Sequence, residues 1–87
     1  MTRVVLYGAA GCHLCDRARA TLAAVRDELA FELEEVDITG DPELEGRYRE
    51  LLPVVEIDGR RAFAYHVPAA ELRRAVTAQT PRSEPSL

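Results

Sequence analysis

The only two cysteines of the chain lie three positions apart near its start, in Gly11-Cys12-His13-Leu14-Cys15. On a helix, residues three apart are neighbours with Cβ atoms roughly 5–6 Å apart. That separation is close to the one that a disulfide bridges with little rearrangement. A bond that closes so short a loop does little to constrain an unfolded chain. The spacing therefore predicts a reversible redox pair rather than a structural cross-link.

The two thiols are predicted to differ in reactivity. Cys12 lies where a loop enters a helix, so unpaired backbone N–H groups and the positive end of the helix dipole favour its thiolate. Such positions lower the pKa of a cysteine thiol from its ordinary value of ~8.5. Cys15 lies one turn further along, beside Leu14 and Ala18, which are predicted to face the core, and stays protonated. Cys12 is therefore predicted to attack a substrate disulfide, and Cys15 to resolve the mixed disulfide.

The Cys-x-x-Cys pair also leaves other functions open. A zinc site needs two further ligands, for which only His13 and His66 are candidates, so we expect no metal at this site. An iron–sulfur cluster shared between protomers, a purely structural pair and a redox-sensing adaptor are the remaining alternatives. His13 has two interpretations of its own: a protonated imidazole that stabilises the Cys12 thiolate, or a solvated residue of the first helical turn.

The charge pattern and the lengths of the apolar runs disfavour several classes of function. The formal net charge is −4, all 11 basic residues are arginine, and they form no cluster of four, which disfavours nucleic-acid binding. No apolar run approaches the ~18 residues of a membrane span. The first residues also lack the pattern of a secretory signal. We therefore expect a single cytoplasmic domain, monomeric and without a membrane partner.

Hydrophobic periodicity predicts the elements that position the cysteines. Residues 4–7, Val-Val-Leu-Tyr, do not alternate and are predicted to form a central strand buried on both faces. A helix follows, and its apolar face is formed by Leu14, Ala18, Leu22, Val25 and Leu29. Residues 31–38 are strand-like, but their alternation changes phase at Val36, which predicts a bulge or an early end.

The second half of the chain is predicted to add a helix, a hairpin and a last helix. Asp41 is a typical N-cap and Pro42 a typical first helical residue, and the apolar face that follows consists of Leu44, Tyr48 and Leu51. Asp58-Gly59 favours a two-residue hairpin, because a type I′ turn needs positive φ at both positions. Pro68 opens the last helix, whose inward face is formed by Leu72 and Val76.

The predicted element order is β-α-β-α-β-β-α. Two parallel strands joined by a crossover helix, together with an antiparallel hairpin, give an α/β fold. Its four-stranded mixed sheet is flanked by three helices. We expect this domain to span residues 1–78 and residues 79–87 to form a disordered tail.

Several motifs together resemble those of a glutaredoxin, and the likeness spans residues 3–77. The motifs are Val4-Val5-Leu6-Tyr7, Cys12-His13-Leu14-Cys15, Val36-Asp37-Ile38, Leu52-Pro53-Val54 and Ile57-Asp58-Gly59. Cys-His-Leu-Cys in place of Cys-Pro-Tyr-Cys is similar to the motif of a group of short glutaredoxin-like proteins. The resemblance implies a thioredoxin-type fold and a thiol–disulfide oxidoreductase. It also implies a disulfide-containing protein or a low-molecular-weight thiol as partner, and a reductase as electron donor.

The resemblance assigns substrate-binding roles as well. It implies that Pro53 is a cis-proline facing the cysteine pair and that the Leu52 backbone pairs with the main chain of the substrate. His13, beside Cys12, is counted with these two as a substrate-binding residue. No cofactor is expected other than glutathione as a co-substrate.

Two departures from the glutaredoxin pattern affect that co-substrate. The basic residue that usually precedes the first cysteine is replaced by Ala9 and Ala10. The Gly-Gly and Asp that precede the last helix of a glutaredoxin align with Val67-Pro68 and Ala70 of this chain. Because Val67 and Pro68 carry side chains, the backbone there approaches a ligand less closely than a Gly-Gly backbone does. The two carboxylates of glutathione therefore lack evident partners, and the candidates to replace them are Arg47, Arg49 and Arg60.

Overall fold

Residues 2–79 are described by a computed structural model of the protein. The elements are β1 (Arg3–Gly8), α1 (His13–Glu28), β2 (Glu32–Asp37), α2 (Pro42–Tyr48), a 3-10 turn (Arg49–Leu51), β3 (Val54–Ile57), β4 (Arg60–Ala64) and α3 (Ala69–Gln79). The predicted order β-α-β-α-β-β-α is confirmed. The tail predicted for residues 79–87 lies outside the described residues apart from Gln79, with which α3 ends.

The sheet presents the cysteine loop at the end of its central strand. The four strands lie in the order β2-β1-β3-β4, and β1 pairs in parallel with β2 and antiparallel with β3. β3 and β4 form the predicted antiparallel hairpin. The mixed four-stranded sheet is thus confirmed, and β1 is central as predicted. Because β1 ends at Gly8, the loop that follows carries the chain from the sheet directly to Cys12.

The core consists of two clusters. The larger joins α1 and α3 to strands β1 and β3 through Val4, Leu6, Leu22, Val25, Val55, Ile57, Leu72 and Val76. The smaller contains Ile38, Tyr48 and Val54, with Tyr7 and Leu44 packed against it. Successive strand residues point to opposite faces, so Leu6 and Tyr7 contribute to different clusters. The strand that leads to the cysteines is therefore held from both sides.

Leu14 does not belong to the predicted apolar face of α1. Its side chain is 44% exposed, whereas the buried residues of the helix are Cys15, Ala18, Leu22 and Val25. Leu14 lies in the first turn, where it lines an open groove together with Tyr65 and His66 of the segment between β4 and α3. The helix buries Cys15 at this level instead.

Neither the bulge nor the early end predicted at Val36 occurs in β2, whose pairing with β1 is continuous from Arg3 opposite Glu32 to Gly8 opposite Asp37. The change of phase has a different cause. Phe31 and Leu33 pack on the larger cluster, and Ile38 packs on the smaller one across the sheet. The start of the strand thus contacts the larger cluster on one face of the sheet. Ile38, just beyond the end of the strand, contacts the smaller cluster on the other face. The irregularity of this sheet lies instead between Val55 and Glu56, where β3 pairs with β4.

The local signals in the second half are confirmed. The Asp41 carboxylate caps α2 by accepting hydrogen bonds from the backbone N–H groups of Glu43 and Leu44, at 3.1 and 3.2 Å. Asp58 and Gly59 have φ values of 51° and 86°, as a type I′ turn requires. None of the helices in residues 2–79 is long and apolar enough to cross a membrane.

A pair of stacked tyrosines fixes α2 on the sheet. The rings of Tyr7 and Tyr48 are 4.3 Å apart and inclined by 23°, and the Tyr48 hydroxyl donates a 2.7 Å hydrogen bond to the Glu56 carboxylate. Burial of the Tyr7 phenol, together with the nearby negative charge of Glu56, raises its pKa from 10.0 to about 12. The Tyr7 proton is therefore held more tightly in the folded chain than in the unfolded one.

This difference predicts a loss of stability at high pH. The unfolded chain releases the Tyr7 proton near pH 10 and the folded chain only near pH 12, so the free energy of unfolding falls as the pH rises between these values. Urea unfolding at pH 9 to 12 measures the decline, and Tyr7→Phe is expected to flatten it. An equally steep decline in that variant would show that other groups cause it.

Candidate active site

Cys12 is the N-cap residue of α1. Its backbone is extended, with φ −96° and ψ 109°, and its sulfur accepts a hydrogen bond from the Cys15 backbone N–H at 3.1 Å. The Cys12 carbonyl accepts the first helical bond, from the Asp16 N–H at 3.1 Å. An N–H group that would otherwise lack a helical partner is thus directed at the sulfur. The same N–H is placed to donate a charge-assisted hydrogen bond to a thiolate at Cys12, should the disulfide be reduced.

The two sulfurs are joined in a disulfide across one turn of the helix. The Cα atoms of Cys12 and Cys15 are 5.1 Å apart, which falls within the range that a disulfide spans without backbone strain. Cys12 is half-buried, and Cys15 is 0% exposed. The pair therefore consists of one partly exposed residue, Cys12, and one fully buried residue, Cys15.

Gly8 leaves the space that the Cys15 sulfur occupies. A Cβ atom added at Gly8 would lie 3.3 Å from the Cys15 sulfur and 3.4 Å from the Cys15 Cβ. Most Cβ contacts are longer, so a side chain here would displace the sulfur or the strand. Sequence reasoning assigned no role to Gly8, because proximity across a loop leaves no local signal.

The Leu52–Pro53 peptide bond is cis, as the resemblance implied. Pro53 is fully buried and Leu52 is half-buried. The Tyr65 backbone N–H donates to the carbonyls of both Leu51, at 3.1 Å, and Pro53, at 2.9 Å, and so fixes this segment to the end of β4. Leu52 and Ala9 line one cavity of about 300 Å³, which brings the proline segment next to the cysteine loop.

Arg49 lines the same cavity, so one of the three candidate arginines lies near the site. Arg47 is turned toward Glu43 of its own helix, at 3.6 Å, and Arg60 lies in β4. His13 is exposed as the first residue of α1 and has no hydrogen bond or ion pair within residues 2–79. Its predicted role in substrate binding therefore stays a prediction. Across the described part of the chain, no three His, Cys, Asp or Glu side chains converge to hold a metal.

Tyr65 is a further residue near the site, to which sequence reasoning assigned no role. It follows β4 with a φ of 70°, and its side chain is 53% exposed. With Leu14 it lines a groove of about 360 Å³, the Leu14–Tyr65 groove, whose other lining residues are Arg17, Ala18, Ala20, Thr21, His66 and Val67. Neither the positive φ nor the groove has a signature in the local sequence.

A mixed four-stranded sheet, a disulfide at the start of its first helix and a cis-proline define a thioredoxin-fold protein. Chloroplastic thioredoxin z shares this fold, with a TM-score of 0.74 over 90% of this chain and 77% of its own, at 23% identity. Residues 3–77 match the family described as Glrx-like, Glutaredoxin-like domain (DUF836), and the chain belongs to that family. The resemblance seen in the motifs is thereby confirmed.

Bacterial relatives agree with this membership. The X. campestris protein XcR50 is 33% identical, with a TM-score of 0.76 over 88% of this chain and 99% of its own. Protein Ne2328 of Nitrosomonas europaea is 27% identical, with a TM-score of 0.74 over 86% and 91%. Protein Rv0508 of Mycobacterium tuberculosis, described as uncharacterized, is 34% identical over 88 residues, which cover 95% of this chain and 91% of that protein.

Proposed function

We propose that the protein is a cytoplasmic thiol–disulfide oxidoreductase that acts on protein or low-molecular-weight disulfides. The observation that carries this proposal is the asymmetry of the pair: Cys12 is partly exposed and its sulfur accepts a hydrogen bond from a helix N–H, whereas Cys15 is fully buried. The thioredoxin fold and the family membership support a redox role for such a pair.

The reaction has two exchange steps. In the first, the Cys12 thiolate attacks one sulfur of the substrate, the substrate S–S bond breaks, and the leaving thiolate takes a proton from solvent. In the second, Cys15 gives up its proton and attacks the Cys12 sulfur, which releases the other substrate thiolate. Two electrons pass from the dithiol to the substrate, and the Cys12–Cys15 disulfide remains. A reductase or a thiol donor then returns two electrons to the pair.

The structure offers few groups that would hold glutathione. Val67 is buried at the position that aligns with glycine, and Ala9 supplies no charge to the cysteine loop. Arg49 is the one arginine that lines the cavity shared by Ala9 and Leu52. We therefore propose that glutathione serves at most as an electron donor through a single carboxylate contact, and that the Leu52 backbone receives the main chain of a polypeptide substrate.

A coupled assay tests the function. The reduced protein is offered 2-hydroxyethyl disulfide with NADPH and either glutathione plus glutathione reductase or thioredoxin reductase. We expect NADPH consumption above background with at least one of the two systems. The Cys12→Ser/Cys15→Ser double variant is the matched control. Equal rates for this control and the wild-type protein in both systems would refute the proposal.

A further inference from the structure

The Leu14–Tyr65 groove collects the exposed apolar side chains of the molecule. Among residues 2–79, Leu14 and Tyr65 are the two large hydrophobic residues with exposed side chains, at 44% and 53%. They come from segments far apart in the sequence, yet they line the same groove. Leu14 also lies between the two cysteines. Two exposed apolar side chains in one groove that begins beside the cysteine pair are characteristic of a binding site, whereas single exposed apolar residues need no explanation.

The backbone holds Tyr65 in this exposed position. Its φ of 70° belongs to the left-handed region, which residues other than glycine adopt rarely. Its N–H is committed to the carbonyls of Leu51 and Pro53, so the residue cannot relax without disturbing the proline segment. A strained backbone that presents an aromatic ring to solvent contributes nothing to core packing. Such strain points to a role in binding.

The charge of the groove is opposite to that of the chain. The protein carries a formal net charge of −4, but no carboxylate lines this groove. The Arg17 side chain lies in it, exposed, and makes no ion pair or hydrogen bond within the described residues. The arginine that lines the cavity between α1 and β2 behaves differently, since Arg19 is held by Asp16 at 2.8 Å and by Glu35 at 2.9 Å. The Arg17 guanidinium is thus available to an acidic partner.

We propose, on the basis of the function proposed above, that this groove selects the polypeptide segment next to the substrate cystine. An aliphatic or aromatic side chain of the substrate packs between Leu14 and Tyr65, and an adjacent Asp or Glu pairs with Arg17. The preferred substrates are therefore proteins whose reactive cysteine is flanked by an apolar and an acidic residue. The groove determines which disulfide substrate is bound, and the exchange steps at Cys12 are the same for every substrate.

Three disulfide-linked peptides test this selection, with Leu-Glu, Ser-Glu or Leu-Lys next to the cysteine. We expect kcat/KM for the Leu-Glu peptide to exceed that for Ser-Glu by about tenfold, since an apolar pocket discriminates on this scale. The advantage over Leu-Lys is expected to be about threefold, because the ion pair with Arg17 is exposed to solvent. Each rate is divided by the rate with 2-hydroxyethyl disulfide, which has no side chain to place in the groove.

The variants assign each preference to its residue. Tyr65→Asn, which keeps a side chain that tolerates positive φ, is expected to remove the preference for Leu over Ser. Arg17→Gln is expected to remove the preference for Glu over Lys. Arg74→Gln is the matched control, because Arg74 is exposed on α3, outside the groove, and has no ion pair in the described region. It should retain both preferences.

The outcomes separate the two proposals. Equal peptide rates, with normal reduction of 2-hydroxyethyl disulfide, would overturn the groove as a selectivity site and leave the oxidoreductase function intact. Preferences that persist in Tyr65→Asn and Arg17→Gln would overturn it in the same way. A protein that reduces neither the peptides nor the small disulfide would overturn the proposed function, and the groove proposal with it.

Discussion

The Cys15→Ser variant is expected to accumulate a mixed disulfide between the Cys12 sulfur and its substrate. Cys15 is 0% exposed and bonds to Cys12 across one helical turn, so in the reduced protein it is the group placed to release the substrate. A serine hydroxyl in its place cannot carry out that exchange. Mass spectrometry after incubation with a disulfide peptide should show one added peptide thiol per chain. Turnover in the thioredoxin reductase arm of the coupled assay, which contains no glutathione to replace Cys15, should fall at least ~100-fold, because the second exchange step is lost.

The Cys12→Ser variant is the matched counterpart. Its remaining thiol is buried beside Gly8, so we expect that a substrate disulfide does not reach it. We expect no adduct and no turnover. An adduct on Cys15 at a rate like that on Cys12 would show that the two thiols are interchangeable, and the assignment of attacking and resolving roles would then be wrong.

Leu22→Ala is expected to destabilise the protein by about 2–5 kcal/mol, the usual cost of removing a large side chain from a packed core. Leu22 is 0% exposed and joins α1 to the cluster that also contains residues of α3 and the sheet. Its loss would weaken the packing of α1, the helix that carries both cysteines, against the rest of the core. Urea unfolding of the oxidised protein measures the change.

Leu14→Ala makes the same chemical change on the same helix at an exposed position. We expect its free energy of unfolding to stay within about 0.5 kcal/mol of the wild-type value. Similar losses in the two variants would mean that Leu14 is part of the core, as the sequence alone suggests. The comparison thus tests the one residue of the α1 face that the periodicity assigns wrongly.

The parts of the fold that the sequence predicts correctly depend on local rules. The cap at Asp41, the turn at Asp58-Gly59 and the start of α1 after Cys12 all follow from backbone groups a few residues away. The prediction that Leu14 faces the core is wrong, because periodicity defines the direction of a helix face but not the point along the helix axis at which the core ends. The prediction of a bulge or an early end at Val36 is wrong because the alternation was interpreted for a single core, whereas this sheet is packed on both faces.

In the candidate site, too, the features with a local sequence signal were predicted and those that depend on distant segments were not. The cysteine pair has a strong local signature, and the cis-proline followed from the family resemblance. The contact of Gly8 with the Cys15 sulfur and the exposure of Tyr65 depend on loops that meet only in the folded chain. Nothing in the sequence distinguishes Arg17 from the other arginines. Only the structure shows that Arg17 lines the Leu14–Tyr65 groove, whereas Arg19 forms an ion pair with Glu35.

The space left at Gly8 has a consequence for the mutational tolerance of the chain. A selection on disulfide exchange should retain glycine there, because any side chain presses on the buried sulfur. Gly59 is constrained differently: its φ of 86° admits asparagine or aspartate, and nothing lies within 4 Å of an added Cβ. Gly46, inside α2, has neither restriction, and alanine should replace it freely. Substitution patterns at these three positions would therefore distinguish selection for redox chemistry from selection for backbone geometry.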